Sequence, residues 1–277
     1  MSGLRPHHLD VGIGGISVRL RAASAEFNTL MVDRFRGFIG SVDTPDYIFD
    51  VDILPFTYTP DAPDELSDIE VSVRREDEGW HLLRGDFEAR WDPATRHGTA
   101  RLRANPYALD SVLRILHTVL LAEQGGMLMH ASSVVLADGR AFVCTGVSGA
   151  GKTTISRLVP PGAHILTDEM SFIRREADGY YAYGTPFAGE LATPGENIRA
   201  PLAGVFLLAQ GPDNRIDDLS PAEAIRAVMT NILYFAKDKA LTAKVFDNAI
   251  ALAACIPVRR LTFFPDARVW DMIGNEA

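Results

Sequence analysis

The run Gly146-Val147-Ser148-Gly149-Ala150-Gly151-Lys152-Thr153-Thr154 constrains this chain more than any other stretch. It fits the phosphate-binding pattern G-x-x-x-x-G-K-[ST], and that pattern demands a strand before it and a helix after it. Both are written in the flanks. The apolar run 140–145 follows an Asp138-Gly139 turn and predicts a strand, while 154–159 predicts a short helix halted by Pro160-Pro161-Gly162. Glycines let backbone N–H groups converge on a phosphate because no Cβ blocks the approach. The helix start adds unpaired donors and partial positive charge. Lys152 supplies a mobile cation for the outer phosphates, and the Thr153 hydroxyl can hold Mg²⁺. The expectation is a nucleotide-phosphate site built from Gly146, Ser148, Gly149, Ala150, Gly151, Lys152, Thr153 and Thr154.

The second signal is the adjacent acidic pair Asp168-Glu169, which ends a short predicted strand over 163–167. Carboxylates at the C-terminal end of such a strand face the crevice where α/β proteins bind ligands. Mg·ATP needs a carboxylate to hold metal, and transfer to a hydroxyl needs one to receive its proton. The later apolar strand 205–210 stands where a metal-holding aspartate is usual, yet it ends in Gln210. Asp168 or Glu169 is therefore the best carboxylate source for Mg²⁺. Glu190 and Glu196 are weaker candidates for a metal or substrate contact. Arg199, Arg259 and Arg260 are weaker candidates for stabilising a transferred phosphoryl group, since single charges of this kind most often face solvent.

A chain of 277 residues that is 47% hydrophobic can bury a substantial core, as one large α/β domain or as a small domain joined to a larger one. A net charge of −9 with no Lys/Arg block argues against a nucleic-acid partner. Cys144 and Cys255 lie far apart in apolar surroundings and are expected to be buried thiols in a reducing compartment. The first residues lack a signal-peptide pattern, and no apolar run is long enough to span a bilayer. A soluble cytoplasmic protein without a membrane partner is expected.

Residues 1–105 predict a smaller, strand-rich α+β unit. A helix is expected over 25–38 and strands over 47–54, 69–74, 80–83, 87–91 and 99–103, forming an antiparallel meander, with a three-proline loop over 55–64. Asn105-Pro106 opens the second unit, 106–277. It starts with a helical apolar stripe over 107–123 and a strand over 127–136 that carries His130 and forms a hairpin into the phosphate loop. Strands over 171–175, 180–183 and 257–264 and helices from Ser220 and Lys239 complete it.

A histidine strand (Met129-His130-Ala131), a phosphate loop of form Gly-x-Ser-Gly-x-Gly-Lys-Thr and an acidic pair soon after it resemble the catalytic domain of HPr kinase/phosphorylase. That fold is related to phosphoenolpyruvate carboxykinase, whose loop is similar to Ser148-Gly149-Ala150-Gly151-Lys152-Thr153-Thr154. The resemblance covers about 127–173 specifically and the rest of the second unit loosely. It implies an α/β, mixed-sheet P-loop kinase domain that transfers the γ-phosphoryl group of ATP, with Mg²⁺, to a serine-type hydroxyl of a peptide, protein or small molecule. It further implies that Lys152 and the loop amides bind the β- and γ-phosphates and that Thr153 binds Mg²⁺. Asp168 would be the general base, Glu169 would assist the metal, and His130 would belong to the active site. The pair here is Asp-Glu where that family has Asp-Asp, the family's downstream glutamate motif is not found, and the first unit is unlike theirs. Self-association is compatible with all of this. The alternative is a nucleotide-binding ATPase or switch with no acceptor; no Asn-Lys-x-Asp motif or ABC signature is present.

Overall fold

A computed structural model describes residues 5–54, 70–77 and 79–275. The loop expected over 55–64 lies outside these residues. The chain divides into two compact units, Met1–Val119 with Phe235–Lys239, and Leu120–Tyr234 with Ala240–Ala277. The sequence places a boundary at 105/106. The division by contacts falls inside a continuous helix, where no Gly- or Pro-rich linker marks it.

The first unit holds one sheet, a helix between its strands and the first part of the helix that follows them. Strands β1 (His7–Ile13) and β2 (Ile16–Ala22) form a hairpin across Gly14-Gly15, both at positive φ, as a two-residue turn of this twist requires. Helix α1 (Ala25–Arg34) starts where the Ser24 hydroxyl accepts the Phe27 N–H at 3.1 Å. It ends four residues short of the expected 38, although Phe35 and Phe38 are still fully buried. Then come β3 (Ile39–Gly40), β4 (Tyr47–Leu54), β5 (Ser72–Glu76), β6 (Gly79–Arg84), β7 (Phe87–Asp92) and β8 (His97–Arg103). The order across the sheet is β3-β1-β2-β4-β8-β7-β6-β5. The expected meander holds from β5 to β8, but β4 runs parallel to both β2 and β8. The reason is α1, which carries the chain back across the sheet so that β2 and β4 point the same way.

Helix α2 (Pro106–Glu123) leads into the second unit, whose elements are, in order, β9 (Met127–Val135), β10 (Ala141–Thr145), α3 (Lys152–Arg157), β11 (His164–Thr167), β12 (Met170–Glu176), β13 (Gly179–Tyr183), β14 (Arg199–Gln210), β15 (Arg215–Asp218), α4 (Pro221–Met229), α5 (Lys239–Cys255), β16 (Val258–Phe263) and α6 (Arg268–Asn275). Strand β14 is about twice the expected length, and β15 was not expected. The sheet is mixed, with order β10-β9-β12-β13-β14-β16-β15 and β11 beside β9. Because β10 also pairs with β14, the strands β9, β12, β13, β14 and β10 close into a ring. One apolar cluster packs β9, β10, β13 and β14 with α4 and α5, using Ala227, Val228, Ala249 and Leu252. A second packs β10, β14 and β16 with α3 and α6, using Ile155, Val269, Trp270 and Ile273. The Trp270 indole donates to the Ile155 carbonyl at 3.1 Å, joining these two helices.

Both cysteines are free thiols. Cys144 is buried as expected, and burial pushes its thiol up to about 12. Cys255 is exposed, contrary to expectation, because it ends α5 on the solvent side. Among the described residues, no helix is long and apolar enough to cross a membrane.

Candidate phosphate-binding site

The phosphate loop runs from the end of β10 to the start of α3. Gly149 at φ +77° and Gly151 at φ +109° hold backbone shapes that a side chain disfavours. A Cβ on Gly151 would also stand 2.7 Å from the Phe263 ring. Lys152 begins α3 and is largely buried. Its ammonium turns back into the loop and donates to the carbonyls of Gly146 at 3.0 Å and Val147 at 3.3 Å. Burial holds its pKa below the usual lysine value, and the nearby Glu169 and Glu190 carboxylates act against that shift. Thr153 and Thr154 follow in the first helical turn, both half-buried, and Ser148 is exposed on the loop.

Strand β9 pairs with β10 on one side and with β11 and β12 on the other, so His130 and the acidic pair are neighbours. His130 is the one residue of β9 that is not fully buried. Its N–H donates to the Asn231 carbonyl at 2.8 Å, and its carbonyl accepts the Thr145 hydroxyl at 3.0 Å. Burial, and then the charge of Lys152, hold its pKa below the ordinary histidine value. Both effects favour the neutral imidazole, which lies within electrostatic reach of the loop lysine.

Between β11 and β12 the chain turns sharply around Thr167, whose hydroxyl accepts the N–H groups of Glu169 at 3.1 Å and Met170 at 3.0 Å. Asp168 points inward and is 4% exposed. One of its oxygens accepts the Gly189 N–H and the other the Leu191 N–H, both at 2.8 Å. These two amides flank Glu190, so the carboxylate fastens the loop that carries it. Glu169 is half-buried, and the Ala131 N–H donates to its carbonyl at 2.9 Å.

The structure thus brings His130, Lys152, Glu169 and Glu190 together, with Asp168 behind them. It separates the remaining candidates. Glu196 pairs with His164 at 2.8 Å. Arg199 starts β14, at the opposite end from the phosphate loop, where it pairs with Glu176 and lies 4.7 Å from the Tyr181 ring. Arg259 pairs with Asp218 at 3.1 Å, and Arg260 stands beside Asp217 in the strand register. Two residues at the loop have roles that the sequence does not assign: Gln210, which it marks only as lacking a carboxylate, and Phe263. Gln210 donates its side-chain amide to the Gly149 carbonyl at 2.7 Å, and Phe263 packs its ring on Gly151. Their signal was faint: each is the last residue of its strand. Among the described residues, no group of three or more His, Cys, Asp or Glu side chains is placed to hold a metal.

A family model described as SynChlorMet cassette protein ScmC matches residues 106–276, well over half of the chain. No curated protein matches it. The chain belongs to the ScmC family.

Proposed function

We propose that this ScmC-family chain is an ATP-dependent kinase of the HPr kinase/phosphoenolpyruvate carboxykinase type, acting on a serine-type hydroxyl of a peptide, protein or small metabolite. The observation that supports it most is the convergence on one phosphate loop of Lys152, a neutral His130 and the carboxylates Glu169 and Glu190. A phosphate loop alone serves many proteins. A proton-handling set around it suits transfer to an acceptor.

In this reading the loop amides and Lys152 hold the β- and γ-phosphates. The ammonium has three donors, and two are already committed to loop carbonyls that aim the third. Thr153 and Glu169 fit Mg²⁺, which takes one or two protein oxygens and completes its shell with phosphates and water. Bound there, Mg²⁺ would neutralise charge on the β- and γ-phosphates. The acceptor oxygen attacks the γ-phosphorus, the bond to the β-phosphate oxygen breaks, and ADP leaves. Asp168 receives the hydroxyl proton. Each of its oxygens accepts one amide and keeps a second lone pair for this. His130, neutral, offers one donor and one acceptor at the rim of the loop.

The second reading is an ATPase or a switch without an acceptor. It draws on the same two amides, which give Asp168 a sufficient structural duty without catalysis. The deciding experiment is mass spectrometry after incubation with Mg·ATP and the products of neighbouring genes, small peptides included. Gain of one phosphoryl group on an acceptor, lost with Asp168→Asn, carries the kinase. Bound ATP with no acceptor labelled on that panel favours a small-metabolite acceptor or the switch.

A further inference from the structure

Strand β14 lies directly beside β10 and parallel to it, and their ladder ends at Thr145 opposite Leu207. The last three residues of β14 therefore overhang the end of β10 and run alongside the phosphate loop. Leu208 reaches Gly146, where its carbonyl oxygen lies 3.5 Å from the position a Cβ would take. At the tip, the Gln210 amide donates to the Gly149 carbonyl at 2.7 Å. The next strand over, β16, ends level with it, since Gln210 is paired with Phe263 and the Gly211 N–H donates to the Phe263 carbonyl at 3.2 Å. Phe263 then closes on Gly151. Two adjacent strand ends thus grip Gly149 and Gly151, two of the loop glycines that have positive φ.

We infer that Gln210 is a positioning residue that presets the phosphate loop for its anion, an inference that rests on the nucleotide reading above. In a trans peptide the C=O and the next N–H point opposite ways. With the Gly149 carbonyl turned out to Gln210, the Ala150 N–H turns inward, where it meets the Val147 carbonyl at 3.1 Å. Lys152 closes on the same carbonyl. One outward hydrogen bond therefore sets the central peptide plane of the loop, and a loop already ordered loses less entropy when phosphate binds. The residue type matters. An acid at this strand end would serve a metal and could not donate to a carbonyl. The amide gives up the metal contact and orders the loop instead, which leaves the metal to Thr153 and Glu169 on the other side.

The test compares Gln210→Met, of similar length without a donor, and Gln210→Glu, of the same shape with only acceptors, against wild type. Binding of ATP and of inorganic pyrophosphate, each with Mg²⁺, is read by calorimetry, and the thermal midpoint is taken without ligand. Loss of one hydrogen bond to the loop should raise Kd for both ligands about threefold to tenfold in Gln210→Met, and further in Gln210→Glu. Gln210 is exposed, so the ligand-free midpoint should move by less than about 2 °C in Gln210→Met. Affinity within twofold of wild type overturns the inference, and so does an affinity loss matched by an equally large fall in midpoint with Gln210→Glu no worse than Gln210→Met. Wild-type protein that binds neither ligand overturns the nucleotide reading along with it. Tight wild-type binding with unchanged Gln210→Met affinity overturns this inference alone.

Discussion

Replacing Gly151 with alanine separates two physical demands that meet at one atom. The new Cβ would stand 2.7 Å from Cζ and 3.0 Å from Cε1 of Phe263, and the backbone would have to keep φ +109°. A left-handed backbone costs an L-residue about 1–2 kcal/mol. The ring is 3% exposed and ends a strand paired with β14. It cannot swing into solvent, so the overlap adds about 1–3 kcal/mol, as overpacking does. The expected loss is therefore about 2–5 kcal/mol, equivalent to a fall of about 5–15 °C in thermal midpoint for a unit of this size. Denaturant titration at constant slope measures it. The second arm is Phe263→Leu in the same background. Trimming the ring should recover the overlap and leave the backbone cost, so the double variant should be at least 1 kcal/mol more stable than the summed single losses, about the least the overlap is expected to cost. A Gly151→Ala loss below about 1 kcal/mol, or strict additivity with Phe263→Leu, would refute the claim that ring and glycine are fitted to each other.

Lys152→Ala removes the one buried cation of the loop and should weaken Mg·ATP binding about 10- to 100-fold, the range for hydrogen bonds to charged groups; calorimetry showing unchanged affinity would discard the phosphate-loop reading. Asp168→Asn keeps one acceptor oxygen but turns an NH₂ toward a backbone N–H, so hydrogen exchange at Gly189 and Leu191 should quicken as phosphoryl transfer is lost; transfer at near wild-type rate would exclude Asp168 as the base. His130 has a folded-state pKa held below the ordinary 6.5, so the unfolded chain binds its proton first. Stability should therefore be full above about pH 6.5 and fall as the pH drops toward the folded value, and His130→Gln should lose less stability than wild type between pH 7 and pH 5 in denaturant titrations. Parallel pH profiles for the two proteins would mean that His130 keeps its ordinary proton affinity.

The elements around the loop were legible because each is specified locally. Asp138-Gly139 sets the β9–β10 hairpin, Pro160-Pro161-Gly162 follows the end of α3, and Ser220 with Glu223 forms the capping box expected at α4. What stayed hidden depends on partners distant in sequence. The parallel insertion of β4 follows from where α1 packs, and no pattern within 47–54 encodes it. The first half of β14, over 199–204, contains Pro201 and Gly204, which argue locally against a strand, yet the antiparallel contact with β13 and the parallel one with β10 hold it extended. Asp168 and Glu169 are adjacent acids of the same charge, and only the return of Gly189 and Leu191 distinguishes the buried clamp from the half-buried neighbour. Gln210 was noticed for lacking a carboxylate. That its amide meets the Gly149 carbonyl, 61 positions earlier in the chain, could not be read from either segment.

The ring of β9, β12, β13, β14 and β10 also orders events in time. Strands β9 and β10 can pair as soon as their hairpin is made, and β12 and β13 likewise, but β10 has a free edge until β14 arrives. On the ribosome, the glycine loop is synthesised long before the strand that steadies it, and long-range pairings of this kind close slowly. A nascent chain stopped before residue 199 would hold every residue of the phosphate-binding motif and still present an unpaired β10 edge. A chain extended through Gln210 gains the closing strand and the loop's outer contact in the same step. On the proposed reading, the capacity to bind phosphate should thus emerge late in synthesis and abruptly, in step with closure of the sheet.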